Sequence, residues 1–241
     1  MNHAQSIRQE LTNISDKSRA IHSQRFFKTG AGEYGEGDIF VGVNVPDQRK
    51  IAKKHIDISL GELSEILHSE VHEYRLTAIF ILVYKFQIAN SQERGSIYNY
   101  YLQNTKHINN WDIVDSSAQY IVGEYLYEQN KDDNTMIVLT KLAQSDDVWE
   151  RRIAIMSTFA FIMRGDYKPT FAIADILLQD EHDLIQKAVG WMLREVGKRV
   201  SQDKEEAYLK TRYQTMPRTM LRYAIERFEE PRRKEYLLSQ V

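Results

Sequence analysis

The sequence predicts an all-α fold, an α-α superhelix in which antiparallel helix pairs stack into a solenoid. Three observations carry this. Only 4 of the 241 residues are proline, and apolar residues recur every three to four positions with almost no strict alternation, the pattern of helices rather than strands. Turn letters punctuate the periodic stretches at Asp132-Asp133-Asn134, Ser145-Asp146-Asp147, Gly165-Asp166 and Asp180-Glu181, and such short connections make neighbouring helices antiparallel. Beneath the pairing lies a repeat: Arg75-x-x-Ala78, Asp115-x-x-Ala118, Arg151-x-x-Ala154 and Lys187-x-x-Gly190 each set a small residue three after a charged one. The small residues stand 40, 36 and 36 positions apart, close to the period of two-helix HEAT or armadillo-type units. A small residue at a fixed helical position lets the next helix approach, and stacked units form one concave wall. A single domain over residues 1–241 is the expectation.

Each element follows from local signals. Residues 3–13 and 16–27 read as an amphipathic pair. The loop that follows, Lys28 to Asp38, contains Gly30-Ala31-Gly32-Glu33-Tyr34-Gly35, the letters of a G-x-G-x-x-G fingerprint. A phosphate cradle needs a strand before that motif and a helix opening at it. Here a helical pattern precedes it and Glu33, Glu36 and Asp38 would repel a pyrophosphate, so a flexible surface loop is expected. Ile39–Val43 is short and apolar, and periodicity does not decide whether it is extended. Pro46 suits the first turn of a helix to about Lys54, and Ser59-Leu60-Gly61-Glu62 has capping-box spacing for a helix to Leu67. Residues 70–89 are so apolar that a central helix buried on several sides is expected. The remaining helices pair as 91–104 with 110–129, 133–143 with 147–164, 169–178 with 183–199, and 203–214 with 218–228, before a short tail from Pro231.

Composition bounds the function. With 42% hydrophobic and 27% charged residues, the chain reads as a soluble globular protein. It has no apolar run of 18 residues and no signal-peptide pattern at Met1-Asn2-His3-Ala4, so neither membrane insertion nor secretion is expected. The cysteine count is zero, which removes disulfide and thiolate-metal frameworks and fits a cytoplasmic setting. A net charge of −2 is no general affinity for nucleic acid. Any such affinity must rest on a local basic surface, and Lys and Arg outnumber Asp and Glu only from Glu150 onward, 17 to 14.

The residues that can carry chemistry fall at matching places in successive repeats. Counted from each small residue, Trp111 is at −7, Asp115 and Arg151 at −3, Trp191 at +1 and Arg194 at +4, steps that hold one stripe of a helix. Two indoles, a carboxylate and a guanidinium suit a ligand that presents a cation beside an anion. Taken singly, each has a bland reading: the tryptophans as core, with Trp149 kept there, Asp115 as a solvated carboxylate, the arginines as surface ion pairs. Other chemistries fare worse. His68 and His72 are four apart without an H-E-x-x-H motif and with a helix break near Ser69, so no metal site is expected. No P-loop and no G-x-S-x-G elbow occur. The basic tail Arg218, Arg222, Arg227, Arg232, Arg233 and Lys234 alternates with acids and reads as a salt-bridged helical face.

Three segments resemble the AlkD-like DNA alkylation repair proteins, HEAT-like-repeat glycosylases for alkylated purines: Trp111-Asp112-x-Val114-Asp115, Trp149-x-x-Arg152-x-Ala154-Ile155, and Ile185-Gln186-Lys187-Ala188-x-Gly190-Trp191-x-Leu193-Arg194-Glu195. The similarity extends to Phe40-x-Gly42-x-x-x-Pro46-x-x-Arg49 near the start and runs in order across most of the chain. It implies Asp115 as the catalytic carboxylate, Trp111 and Trp191 as indoles flanking the target sugar, and Arg152 as a contact to the DNA backbone. The stripe favours Arg151 instead, about 100° round the helix, and Arg151 stands as second choice. Arg194, Arg49, Lys187 and Phe26 complete the expected DNA-facing set, with Phe26 where relatives carry tyrosine. The implied activity is hydrolysis of the N-glycosidic bond of cationic 3- and 7-alkylpurines in duplex DNA, in base excision repair, by a cytoplasmic monomer with no cofactor, metal or membrane partner. A non-catalytic helical-repeat module binding DNA or protein in the same groove is the alternative.

Overall fold

The computed structural model describes residues 2–129 and 134–241. Helices account for its regular structure, and the one β feature among the described residues is an isolated parallel bridge between Ile39 and Val71. The turn read at Asp132-Asp133 lies outside the described residues. Cα packing divides the chain into two compact units, Met1–Ser117 and Ala118–Val241.

The first unit begins with α1 (His3–Asn13), opened by a capping box in which Asn2 and Gln5 satisfy each other's backbone N–H. Next come α2 (Lys17–Phe26), α3 (Val45–Lys54) and α4 (Leu60–Leu67). The capping box expected at Ser59 is half made. The Ser59 hydroxyl accepts from Glu62 N, but the Glu62 carboxylate turns away to accept from Ala4 N at 3.1 Å, tying α4 to α1. Ile39–Val43 is extended: Ile39 N donates to Glu70 O and His72 N to Ile39 O. Gly42 has φ +81, and a Cβ there would run into the Asp16 carbonyl of α2. Only glycine fits that close, left-handed position. The buried Glu73 carboxylate then accepts from Val41 N, Gly42 N and Val43 N, so these three backbone donors are satisfied without a sheet. As expected from its apolar run, α5 (His72–Ile88) is buried on most sides. The unit closes with α6 (Ser91–Gln103) and the five-residue α7 (Trp111–Asp115).

The single helix expected over 110–129 is therefore broken. After α7 the chain turns at Ser116-Ser117, and the second unit opens with a π-helical turn, Gln119–Gly123, leading into α8 (Glu124–Glu128). The Ser117 hydroxyl bonds back to the Ile113 carbonyl at 2.7 Å, a local alternative to helix continuation. Helices α9 (Asn134–Ala143), α10 (Val148–Ser157), α11 (Phe159–Ile162), α12 (Lys168–Ile176), α13 (Asp183–Arg199), α14 (Gln202–Lys210), α15 (Arg218–Ala224) and α16 (Glu230–Leu237) complete the unit. The small residues of the repeat, Ala78, Ala118, Ala154 and Gly190, are all buried. At Gly190 the reason is direct, because a Cβ would strike the Met220 carbonyl of α15. Trp149 lies in the core at 7% exposure.

Candidate active site

Five residues make up α7, too few to be stable through their own hydrogen bonds, so its placement depends on what holds it. Asn110 caps it, accepting from Trp111 N at 2.8 Å. The amide of the same Asn110 donates to Asp38 Oδ2 at 3.1 Å. Asp38 also receives Arg75 Nη2 at 2.5 Å and lies 3.1 Å from His72 Nδ1, while His72 Nε2 lies 2.9 Å from Asp112 on the first turn of α7. Burial alone would lift the Asp38 carboxyl, but the bond to His72 and the charge of Arg75 outweigh it and hold Asp38 below the usual carboxylate range. For His72 the balance is similar. Burial disfavours its charge, the Asp112 charge and the bonds to Asp112 and Asp38 prevail, and its pKa rises to about 9. The ring is an imidazolium at neutral pH.

Trp111 and Asp115 leave α7 four residues apart, and both are half-buried. The Trp111 indole stacks on Phe27 with centroids 5.2 Å apart and 20° between planes, and Phe26 meets it edge-on at 5.8 Å. Its Nε1–H donates to the Tyr34 hydroxyl at 3.3 Å. With the donor engaged, the indole offers a ligand π surface rather than a hydrogen bond. Asp115 carries its charge close to Tyr101, a fully buried phenol 2.9 Å from the Ser117 hydroxyl. Burial first, and the Asp115 charge in addition, push the Tyr101 pKa upward. Phe26 is 57% exposed. The Arg49 guanidinium lies over the Phe80 ring, 3.9 Å from its centroid.

In the second unit Trp191 is half-buried on α13, and its Nε1–H donates to Glu195 Oε1 at 3.3 Å. Arg199 braces the other oxygen of Glu195 at 2.6 Å. Both indoles of the expected pair thus have their N–H bonded within their own unit. The four basic residues of this unit expected on DNA all have protein partners. Arg152, expected on the DNA backbone, is 5% exposed and donates through Nη1 to the Leu184 carbonyl at 2.6 Å. That bond occupies one of the five guanidinium N–H donors. Arg151, the second choice, pairs with Asp180 at 2.7 Å and with the carbonyls of Ser145 and Asp146. Arg194 pairs with Glu226, and Lys187 with Asp183 at 2.7 Å. Helical spacing gives which residues share a face but not which way the helix is rotated.

Sequence reasoning missed the residues that hold the site together. Asp112 and Glu195 lie within the quoted motifs yet were given no role. His72 was weighed only as a metal ligand. Tyr34 and Asp38 carried no signal of this role: they belong to the glycine-rich loop and meet partners 77 and 72 residues away. That loop is no phosphate cradle, since extended chain and not a helix follows it.

Residues 7–228 match the sequence profile of the family described as DNA alkylation repair enzyme. The chain belongs to that family. Solved structures agree at the level of fold. A predicted DNA alkylation repair enzyme from Enterococcus faecalis superposes with a TM-score of 0.69 at 16% identity, over 90% of this chain and 97% of that one. AlkD2 from Streptococcus mutans gives 0.55 at 16% identity, covering 94% and 97%, and smu.31 from Streptococcus mutans UA159 gives 0.54 at 16%, covering 95% and 99%. No protein of curated function matches the sequence. The helical-repeat class and the AlkD-like family read from the motifs are those the chain has.

Proposed function

We propose that this DNA alkylation repair protein is a DNA glycosylase of base excision repair, which hydrolyses the N-glycosidic bond of cationic 3- and 7-alkylpurines in duplex DNA. The observation that carries the reading is α7, which presents a carboxylate and an indole without a free donor on neighbouring positions of one helix. Alkylation at the 3- or 7-position gives the base a full positive charge. The C1′–N bond then breaks with both electrons passing to the base, which leaves neutral, and positive charge moves to the sugar. Asp115 and the π surface of Trp111 stabilise that charge as it forms. Water adds to C1′ and its proton passes to the carboxylate or to solvent. On the motif around it, Trp191 is proposed to contribute a second indole face.

The test is release of base from methylated duplex DNA by the wild-type protein and by Asp115→Asn. The carboxylate acts on charge present mainly in the transition state, so the variant should lose roughly two orders of magnitude in rate or more while DNA affinity persists. Equal rates would remove Asp115 from the mechanism. Tight DNA binding with no release by the wild-type protein would favour a non-catalytic binding module.

A further inference from the structure

The most heavily charged buried cluster in the first unit lies beside the proposed catalytic residues but includes neither. It consists of Asp38, His72, Arg75 and Asp112, with the Asn110 amide. His72, Arg75 and Asp38 are 2%, 3% and 7% exposed. Burying three ionisable groups against a fourth that is partly exposed is expensive unless each is paired and hydrogen-bonded. Apolar residues would have packed the same volume at less cost, so a placement that apolar contacts would not specify needs another explanation.

The bonds supply one. Arg75 also donates to the Ser69 carbonyl at 3.0 Å, so Asp38 is fixed relative to the start of α5. Asp38 holds the cap residue of α7 through Asn110, and His72 holds the first turn through Asp112. The His72 ring is itself set between Phe40, stacked at 4.6 Å, and Phe27 at 4.9 Å, and Phe27 is the ring on which Trp111 stacks. One imidazolium therefore contacts the helix that carries Trp111 and Asp115 and also the aromatic ring that sets the Trp111 plane. We propose that His72, bridging Asp38 and Asp112, is the positioning residue that orients α7 and the Trp111 indole for base excision, a role that rests on the glycosylase reading. The groups facing the His72 ring are Asp38 from the loop, Asp112 from α7 and Arg75 from its own helix. With two carboxylates against one guanidinium, the charged ring is needed to complete the cluster.

The test uses full-length protein labelled with 5-fluorotryptophan, in which each of the 3 tryptophans gives a ¹⁹F resonance. That of Trp111 is the one missing from Trp111→Phe. In otherwise unmutated protein it should titrate with a midpoint near pH 9, where His72 loses its proton. In His72→Gln that titration should vanish and the Trp111 resonance should shift, while those of Trp149 and Trp191 and the helical circular dichroism stay as they were. Excision of a cationic alkylpurine in single turnover should fall roughly tenfold or more, with DNA affinity within about twofold, as expected for misplaced reacting groups. Asp112→Asn, at a side chain 16% exposed, serves if His72→Gln does not fold. It keeps a hydrogen-bond acceptor for Nε2 and should lower the midpoint of the Trp111 titration. An unmoved Trp111 resonance in His72→Gln, or an unchanged midpoint in Asp112→Asn, overturns the proposal. Absence of excision by the wild-type protein overturns the glycosylase reading instead, and the resonance still decides whether His72 sets α7.

Discussion

A guanidinium next to a tryptophan on a helix of a DNA repair protein invites assignment to the phosphate backbone, and the burial of Arg152 sets a structural role beside that assignment. Its Nη1 holds the Leu184 carbonyl at the start of α13, so its first task is to join α10 to α13. Arg152→Ala is expected to destabilise the protein by about 1–3 kcal/mol, the cost of leaving a buried acceptor unpaired. The slope of DNA affinity against salt should stay as in the wild type, whereas loss of a phosphate contact would flatten it by about one unit. Urea unfolding and binding titrations at several salt concentrations separate the two. The identity of these residues was legible in the sequence because a tryptophan, a carboxylate and an arginine at repeat spacing stand out. Their engagement was not. Arg151 and Arg152 differ by about 100° of helix rotation, and no spacing rule fixes that angle without the packing partners, Asp180 and Leu184, some thirty residues further on.

Where helices meet, glycines mark what must come close. Gly197 of α13 lies against Glu205 of α14, and a Cβ at Gly197 would collide with the Glu205 carboxyl. Glu205 is 2% exposed, and its Oε1 has no hydrogen-bond partner. Burial, opposed by the charge of Arg194 and reinforced by Glu206, pushes its pKa up to about 8 from the usual 4.5. The folded state therefore holds a proton that the unfolded chain releases near pH 4.5. The stabilisation is complete below that pH, declines as pH rises, and is gone above about pH 8. Glu205→Gln should remove this slope, so its melting temperature should exceed that of the wild type by a margin that grows from pH 5 to pH 8. A constant difference across that range would mean that Glu205 is ionised in the folded protein. Most helices were legible, since apolar periodicity, with Pro46 at a first turn and capping-box spacing at Ser59, gave their starts almost to the residue. The break between α7 and α8 was not, because Ser116, Ser117 and Gly123 are each tolerated inside helices.

At the scale of the whole chain, the net charge of −2 is reflected in how the basic side chains are used. Among the described residues, three of the six tail cations make the expected salt-bridged face: Arg232 pairs with Glu206 and Glu235, and Arg233 and Lys234 with Glu230. No helix among the described residues is long and apolar enough to cross a membrane. On the proposed glycosylase reading, a site that supplies a carboxylate and a π surface leaves lability to the lesion. Base release should therefore be confined to 3- and 7-alkylpurines that carry a formal positive charge, bulky adducts included. Uracil, hypoxanthine and 8-oxoguanine, neutral in duplex DNA, need a general acid or a tight oxyanion site to leave. Excision assays on matched duplexes with one lesion each provide the comparison, and efficient removal of a neutral base would sink the mechanism. The fold class was legible at this scale because a repeat of 36 to 40 residues cannot be hidden by local ambiguity. The buried charges around His72 were illegible for the opposite reason: their partners come from three separate segments with no shared period.

The π-helical turn at Gln119–Gly123 has a consequence for how this chain can change length. In such a turn the backbone bonds reach one residue further than in an α-helix, so the segment contains one residue more than the regular ladder requires. Removing a single residue there would convert the turn to ordinary helix and leave the hydrophobic register downstream in phase. The same deletion anywhere within α10 or α13 would rotate the following core residues by about 100° and expose them. Among related chains, single-residue gaps should therefore gather between Gln119 and Gly123, and the interiors of α10 and α13 should be nearly free of them.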